Sequence, residues 1–455
     1  MSNESRWNCR SASVPLIAVV LTLTIVSVLH GASKREVVLR AAVMADSSGP
    51  DRAQNLVRAV ERLNKALPDV TIQLQLEEPP SPSWADETQR LMRAFAADDA
   101  PDIYAIAHEF VGQFAKAGYA LPLDDLIRQY PDTYNDFFPS IWQSVKVRGR
   151  TYAIPQDTDD RMLYFRVDRL KQFGWSDAQI KALPDRIQRG EFTLTDMAEL
   201  AKRVKDKNLV EWGFYHRPTR GPDYYQLVLA YGGRLQDEPS GKLVLTRSAT
   251  LEFLKLLYEL VNGYKVTPAG MTNTPWRSVH GGFGGEGKVL FWLGGSWNGA
   301  GYIQDYGVPA ADFFNRMDWG LVPTGRKGGK ALTMSHPIIY VVSARSKEKD
   351  LAFRVVTEAS SADLNAMHAL HSFNLPVRKA VTQIPTFKSN VWLSRATELL
   401  PFTTFIPNHE DWGKYDQIIY EAMQAVETNR LTPDKALAFV ETQMKSQIPD
   451  LLVEE

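Results

Sequence analysis

The sequence predicts an α/β fold divided into two lobes, each with a mainly parallel sheet flanked by helices. A chain of 455 residues is too long for one hydrophobic core. Strand-like and helix-like patterns alternate after the first apolar stretch, which is typical of a parallel sheet. A polar cluster lies between two extended runs in Tyr152–Arg169, and it indicates where the chain crosses between lobes.

The first lobe is predicted from the alternation that starts at Glu36. The patterns predict strands at Glu36–Ala45, Val70–Leu76 and Asp102–His108. They predict helices between these strands, at Arg52–Leu67 and Trp84–Ala97. In such sheets, ligands lie beyond the carboxyl ends of the strands. This places His108 and Glu109 at a candidate cleft, together with Asp46 and Ser48, which could instead cap the following helix.

The crossing segment contains three acids and a base within five residues. Pro155 keeps Ile154 out of the helical region, and Met162–Val167 is an apolar, strand-like run. Between them lie Asp157, Asp159, Asp160 and Arg161. Arg161 either pairs internally with these acids or contributes its charge to a ligand site, and the sequence leaves both interpretations open.

The rest of the chain is predicted to be mostly helical, with three buried-type strands. Helices are expected at Thr193–Lys205, Tyr224–Gly233, Thr250–Asn262, Lys347–Ala359, Tyr415–Val426 and Thr432–Ile448, and strands at 212–214, Val289–Leu293 and Pro337–Ser343. Thr432 is the expected cap of the last helix and Pro433 its first residue. The glycines of 282–287 match GxGxxG, but a strand follows them where a nucleotide site requires a helix, so no nucleotide is expected.

Composition excludes several classes of function. The net charge of −1 provides no bulk field for nucleic acid or anionic membrane. The single cysteine, Cys9, rules out an internal disulfide, a thiolate metal cluster and a catalytic cysteine. HExxH and GxSxG are both absent, and His368 with His371 is better explained as one helix face than as a ligand pair. No catalytic residue, metal or cofactor is therefore expected.

Residues 1–33 have the layout of an export signal. Arg6 and Arg10 precede the uncharged, apolar run Val14–Leu29, and small residues follow it. The run is somewhat short of the roughly 20 residues that a spanning helix needs, although an uncleaved anchor stays open. Because no cysteine follows the run, a lipoprotein anchor is not expected. Either interpretation places the body of the protein in the periplasm or on the extracellular face of the membrane.

Several short blocks resemble the family 1 extracellular solute-binding proteins, the substrate receptors of ABC importers. The blocks occur in the family's order: 101–104 with 118–123, 149–155 with 163–170, 212–214, 319–323, 372–378 and 431–437. Each block is weak alone, but about six in the right order over residues 36–450 make a specific match. One departure is Met334-Ser335-His336, which stands where the family usually has Gly-Gly before a strand.

The resemblance implies a two-lobed, class II-like periplasmic-binding-protein fold of the maltose-binding-protein-like type. The expected N-lobe is 34–153 plus 325–362, and the expected C-lobe is 154–324 plus 363–455. A carbohydrate or related polyol would bind between the lobes, with Trp297 as a stacking ring. The expected partners are ABC permease subunits, the expected state is a monomer, and no enzyme activity is expected.

Ligand chemistry can be predicted only as alternatives. Asp159 and Asp160 would accept hydrogen bonds from sugar hydroxyls. The basic loop with His216, Arg217 and Arg220 either is solvated or converges with Arg161, His108 and His336 on an anionic ligand such as a sugar phosphate. Two other functions stay open, a secreted carbohydrate-active enzyme, which needs two facing carboxyls, and the ligand-binding module of a membrane sensor.

Overall fold

The computed structural model describes residues 34–45, 49, 51–81 and 83–455. The predicted export segment 1–33 and the candidate residues Asp46 and Ser48 lie outside these ranges. Within the described part of the chain, every helix is too short or too polar to span a lipid bilayer.

The first sheet has five strands and contains one strand that arrives late in the chain. The strand order is Val70–Glu77, Arg35–Ala42, Ile103–Ala107, Ile338–Val342 and Ile154–Asp157. Arg35–Ala42 is parallel to both of its neighbours, whereas Ile338–Val342 is antiparallel to both of its own. The late strand therefore lies between the strands that end in Ala107 and Asp157.

Helices cover this sheet and bury their apolar faces against it. In Asp51–Ala66, Leu56 and Ala59 are fully buried, and this helix packs on Lys349–Ala359 from the late part of the chain. The helices of this lobe are Asp51–Ala66, Trp84–Ala96, Val111–Lys116, Asp124–Ile127, Pro131–Tyr134, Lys349–Ala359 and Ala362–Ser372. A hairpin of Lys146–Val147 and Arg150–Thr151 precedes the crossing.

The second sheet has four strands in the order Met317–Gly320, Arg161–Arg166, Val289–Gly295 and Trp212–Tyr215. Val289–Gly295 is parallel to Trp212–Tyr215, and Arg161–Arg166 is antiparallel to both of its neighbours. Every residue of Arg161–Arg166 and Val289–Gly295 is buried, because helices cover the sheet. The glycine-rich segment Gly281–Gly285 forms a wide helical turn, and the strand that the sequence predicted follows it at Val289–Gly295.

The second lobe is richer in helix. Its helices and those of the segment 385–397 are Val167–Phe173, Asp177–Lys181, Leu183–Gln188, Leu194–Asp206, Tyr225–Ala230, Arg247–Tyr258, Trp276–His280, Asn298–Gln304, Phe313–Arg316, Pro385–Ser389, Val391–Thr397, Trp412–Glu427 and Pro433–Gln447. Short 3₁₀ turns occupy His108–Phe110, Pro139–Val145, Pro222–Tyr224, Met271–Asn273, Ala310–Asp312, Lys379–Gln383 and Leu400–Phe402. Val244–Thr246 pairs with Leu452–Glu454 near the carboxyl end.

Three connections between the lobes meet at one hydrogen-bonded chain of side chains. Ser335 Oγ lies 2.9 Å from Asp160 Oδ1 and 2.5 Å from Thr403 Oγ1. Backbone pairing of Thr333–Ser335 with Thr403–Phe405 holds two of the connections together. We call Asp160, Ser335 and Thr403 the hinge chain. The lobe limits predicted from sequence stay a prediction, but strand pairing places Ile154–Asp157 in the first sheet.

The cap of the last helix provides a test of the sequence reasoning. The Thr432 hydroxyl accepts a hydrogen bond from the Lys435 backbone N–H, and Pro433 follows it. We expect Thr432→Ala to lower the free energy of unfolding by about 1 kcal/mol, because a helix N–H loses its partner. Thr442→Ala, an exposed position in the same helix, is the matched control and should not lower it. Urea denaturation of both variants checks this, and equal losses would contradict the capping role.

Candidate functional site

Three predicted site residues meet at the ends of two inner strands of the first sheet. They are His108, Glu109 and His336, and we call them the His-Glu-His cluster. Ala107 lies opposite Ile338 in the strand pairing, so the residues beyond these two positions become neighbours. His336 Nε2 is 2.9 Å from the Glu109 carboxylate, and His108 Nδ1 is 3.5 Å from Glu109 Oε2. Three residues predicted from sequence are therefore brought together by strand register.

Burial and neighbouring groups shift the pKa values of His108 and Glu109. His108 is fully buried, which lowers its pKa to about 3 and keeps the ring neutral. Its Nε2 donates a hydrogen bond of 3.2 Å to the Ile406 carbonyl. Burial would raise the pKa of Glu109, but the charge of His336 outweighs this and lowers it to about 2. Glu109 is therefore a buried carboxylate.

Arg161 is paired internally, the first of the two alternatives that the sequence left open. It forms an ion pair with Asp159, and its Nε lies 3.7 Å from Asp223 Oδ1. The guanidinium also covers one face of the Trp297 ring, 4.8 Å from the centroid. Burial raises the pKa of Asp159 to about 6, although Asp159 also accepts a 2.9 Å hydrogen bond from the His336 backbone N–H.

Asp160 does not join Asp159 in one site. It is fully buried and accepts a hydrogen bond from Ser335 in the hinge chain. Burial raises its pKa well above the ordinary value for a carboxyl group. The two adjacent acids therefore have separate roles, Asp159 in the ion pair with Arg161 and Asp160 between the connections.

His216 lies deep in the second lobe. Its Nε2 is 2.6 Å from Glu427 Oε1, and both side chains are fully buried. Burial alone would lower the pKa of His216, but the Glu427 carboxylate raises it above the ordinary value. This imidazole is therefore part of a buried ion pair and does not lie beside the His-Glu-His cluster.

The two arginines that follow are also paired with acids. Arg217 Nη1 is 3.1 Å from Asp223 Oδ2, and Arg220 Nε is 3.2 Å from Asp416 Oδ2. Burial raises the pKa of Asp416 to about 6, although it accepts a 2.7 Å hydrogen bond from the Tyr225 hydroxyl. Each cation that the sequence offered for an anionic ligand therefore has an acidic partner in the protein.

A second buried charge cluster stabilises the first lobe. Asp157 Oδ2 is 2.7 Å from both Arg52 Nε and His368 Nε2. Burial would raise the pKa of Asp157, but Arg52 outweighs it and the pKa is lowered. His371 pairs separately with Asp51 at 2.7 Å. Both histidines belong to the helix Ala362–Ser372 and contact different acids, which agrees with the prediction of a helix face over a ligand pair.

Sequence reasoning missed three acids of the second lobe, Asp223, Asp416 and Glu427. Asp223 had a local signal, since it follows the basic loop in Gly221-Pro222-Asp223. Asp416 and Glu427 belong to the helix Trp412–Glu427, about two hundred residues after the arginines and histidine that they contact. No local pattern reveals a pairing over that separation.

An open groove shares one connection with the site. Its volume is about 1000 Å³, and it lies between the 140–149 segment of the first lobe and the 234–241 loop of the second. The residues Thr403–Glu410 line it, and Ile406 within them accepts the hydrogen bond from His108. Ile406 therefore borders both the groove and the His-Glu-His cluster.

Two neighbouring acids should respond oppositely to pH when neutralised. The raised pKa of Asp160 means that this carboxyl group holds its proton more tightly in the folded protein than in the unfolded chain. Its contribution to the free energy of unfolding is therefore lost as pH rises above about 3.9. Asp160→Asn is neutral at every pH and should raise the melting temperature at pH 8, with a smaller gain near pH 4.

Asp157→Asn is the matched control, because the lowered pKa of Asp157 means that its charge stabilises the fold at pH 8 and this stability is lost on acidification. Breaking its buried pairs should cost about 3–5 kcal/mol at pH 8. Thermal unfolding at both pH values measures both variants. A destabilised Asp160→Asn at pH 8 would contradict the raised pKa of Asp160.

Comparison with known proteins agrees with the fold and the motif order. A profile described as bacterial extracellular solute-binding protein matches residues 47–366. The solved structure of maltose-bound T. maritima MalE3 superposes with a TM-score of 0.73 at 21% identity, covering 90% of this chain and 100% of that one. This likeness confirms the predicted two-lobed periplasmic-binding-protein fold.

Two relatives match at the level of sequence. A Brucella abortus (strain 2308) protein named as a binding protein is 23% identical over 427 residues, 91% of this chain and 94% of the relative. The maltotriose-binding protein of Pyrococcus abyssi (strain GE5 / Orsay) is 24% identical over 275 residues, 60% of this chain and 51% of the relative. The chain belongs to the bacterial extracellular solute-binding protein family.

Proposed function

We propose that this protein captures a carbohydrate or related polyol between its lobes, outside the cytoplasm, and delivers it to the permease subunits of an ABC importer. The observation that carries the proposal is the convergence of groups at the crossing segment: Arg161 contacts Asp159 and lies beside Asp223 and Trp297 of the second lobe. Asp159 in turn accepts a hydrogen bond from the His336 backbone N–H of the first lobe. Support also comes from relatives named for maltotriose and maltose.

The chemistry of these groups suits hydroxyls and the C–H face of a sugar ring. Carboxylates accept hydrogen bonds from hydroxyls, and these charge-assisted bonds are about twice as strong as neutral ones. Trp297 is only partly buried, and its indole ring offers an apolar surface. Because Arg161, Arg217 and Arg220 are each paired with an acid, a neutral ligand fits better than a sugar phosphate.

Capture would work by lobe closure. A ligand that contacts both lobes binds the closed arrangement better and shifts the population towards it. The hinge chain lies where the connections meet, so the lobes can change their angle around it. We propose that the closed form then docks on the permease as a monomer, with the lobes divided near the limits given by the sequence.

The acids of the crossing segment give less support to the alternative of a carbohydrate-active enzyme. A glycosidase pair needs two free carboxyls roughly 5–9 Å apart on either side of the substrate. Asp159 is paired with Arg161, and Asp160 accepts from Ser335. These acids therefore suit ligand binding and hinge structure better than proton transfer to a glycoside.

A ligand panel tests the proposal. The protein should show a raised melting temperature with one or more mono- or oligosaccharides or polyols, since a hundredfold excess over Kd stabilises by about 2.7 kcal/mol. Product analysis of each hit should return the ligand unchanged. Conversion of the ligand would favour an enzyme, a response to sugar phosphates alone would favour an anionic cargo, and no response to the panel would overturn carbohydrate capture.

Trp297 should contribute measurably to affinity for any sugar that the panel identifies. An aromatic contact contributes about 0.5–1.5 kcal/mol, so Trp297→Ala should weaken Kd by roughly 2- to 10-fold. Trp175→Ala, at a partly buried position after the helix Val167–Phe173, is the matched control and should leave Kd unchanged. Calorimetric titration measures both, and an unchanged Kd for Trp297→Ala would remove this ring from the site.

A further inference from the structure

The His-Glu-His cluster contains two electron-rich atoms that face each other without a proton between them. His108 Nδ1 is buried without a hydrogen-bond partner among the described residues, and it lies 3.5 Å from Glu109 Oε2, which is also 2.9 Å from His336 Nε2. Nε2 of His108 faces the Ile406 carbonyl and therefore carries the ring hydrogen, which leaves the lone pair on Nδ1. A buried acceptor facing a buried carboxylate is costly unless a positive charge lies between them.

Glu109 also lacks the partner that a buried carboxylate usually has. Its ion-pair partners in the described part of the chain are the imidazoles of His108 and His336, without an arginine or lysine. The basic group nearby, Arg161, is engaged by Asp159 and lies close to Asp223. The cluster therefore pairs one buried carboxylate with imidazoles alone, and it offers two nitrogen donors and one carboxylate to a cation.

We propose that His108 Nδ1, Glu109 and His336 Nε2 bind a divalent transition-metal ion of the Zn²⁺ type. The three donor atoms lie within 4.8 Å of one another. Zn²⁺ binds nitrogen and oxygen at about 2.0–2.2 Å, which sets tetrahedral donors about 3.3–3.5 Å apart. The separation of 3.5 Å between His108 and Glu109 already fits, and the 2.9 Å between Glu109 and His336 must widen by a few tenths of an ångström. The donor atoms of His108 and His336 lie within 4.8 Å of each other and must also reach this spacing when the metal binds.

The surroundings hold two of the donors in place. The Ile406 carbonyl fixes the ring orientation of His108, as partners of metal-binding histidines commonly do. Asp159 accepts from the backbone N–H of His336 and so positions this residue at the start of the late strand. All three donors lie within two residues of the paired strand ends Ala107 and Ile338, so the backbone holds them close together before a metal arrives.

Ligand chemistry selects the class of metal and leaves one position open. Two imidazoles and one carboxylate suit Zn²⁺ or Co²⁺, whereas Ca²⁺ and Mg²⁺ prefer oxygen ligands in larger number. Three protein ligands leave the fourth position for water or for an oxygen of a bound molecule. The side chain of His336 is 11% exposed, which gives solvent access to the site.

Metal titration of the protein without a histidine tag tests the proposal, and it requires no carbohydrate. After treatment with a chelator, calorimetry should show one Zn²⁺ bound per chain, and Co²⁺ should produce the strong visible absorption of a tetrahedral site. Ca²⁺ and Mg²⁺ should produce no response. Because nitrogen and carboxylate ligands must be deprotonated to hold a metal, Zn²⁺ binding should weaken at acidic pH.

Substitutions locate the site. Glu109→Gln keeps the size of the side chain and removes the anionic oxygen, and His336→Gln removes a nitrogen donor at the partly exposed position. Each should weaken Zn²⁺ binding by more than about tenfold, with an unchanged circular dichroism spectrum showing that the variant is folded. His409→Gln, a histidine outside the cluster, is the matched control and should bind Zn²⁺ as the parent protein does.

The outcomes separate this proposal from carbohydrate capture. Absence of one-to-one Zn²⁺ binding would overturn the metal site, and so would binding that survives both cluster variants or is lost in His409→Gln. A stronger response to Ca²⁺ than to Zn²⁺ would also overturn it. None of these results bears on the ligand panel, because the titration is carried out with metal salts alone.

Discussion

The site depends on one pairing of strands, in which Ile338–Val342 lies antiparallel between Ile103–Ala107 and Ile154–Asp157. All five residues of the late strand are buried, so its register is strongly specified. A slip of one residue would turn every side chain to the opposite face of the sheet. The same register places His336 beside Glu109, and it brings the His336 backbone to Asp159.

Charge around this pairing is balanced in two different ways. Where an arginine or histidine lies close to a buried carboxylate, as for Asp157 with Arg52, the pKa is lowered and the acid stays ionised. Where the main compensation is a hydrogen bond, as from Ser335 to Asp160, burial raises the pKa. Asp159 lies between these cases, because burial outweighs the attraction of Arg161. Identical side chains three residues apart thus have different ionisation for reasons of environment alone.

Much of the fold could be predicted from the sequence because its signals are local. Apolar periodicity located the helix Asp51–Ala66 and the strand Val70–Glu77 to within about one residue, and the cap at Thr432 is confirmed. Boundaries were less certain where a turn decides them. The helix predicted at Tyr224–Gly233 is Tyr225–Ala230, and a turn with Gly232 at a φ of 88° follows it.

The site was only partly predictable, since a side chain's partner can be far away in sequence. His108, Glu109 and His336 were singled out separately, and only strand register shows that they touch. Arg217 and Arg220 were candidates for an anion because their acidic partners, Asp223 and Asp416, gave little or no local signal. Local patterns identify charged groups, whereas the neutralisation of those groups depends on tertiary packing.

The hinge chain has a mechanical consequence. Asp160, Ser335 and Thr403 tie three connections together at one point through hydrogen bonds of 2.9 and 2.5 Å. Bodies joined at one point can pivot, but they cannot slide apart. Atoms near the pivot keep their separations while distant rims swing through wide arcs. In the proposed closure, the size of the ligand would set the angle between the two lobes. A permease that docks outside the cleft would contact surfaces whose spacing depends on that angle.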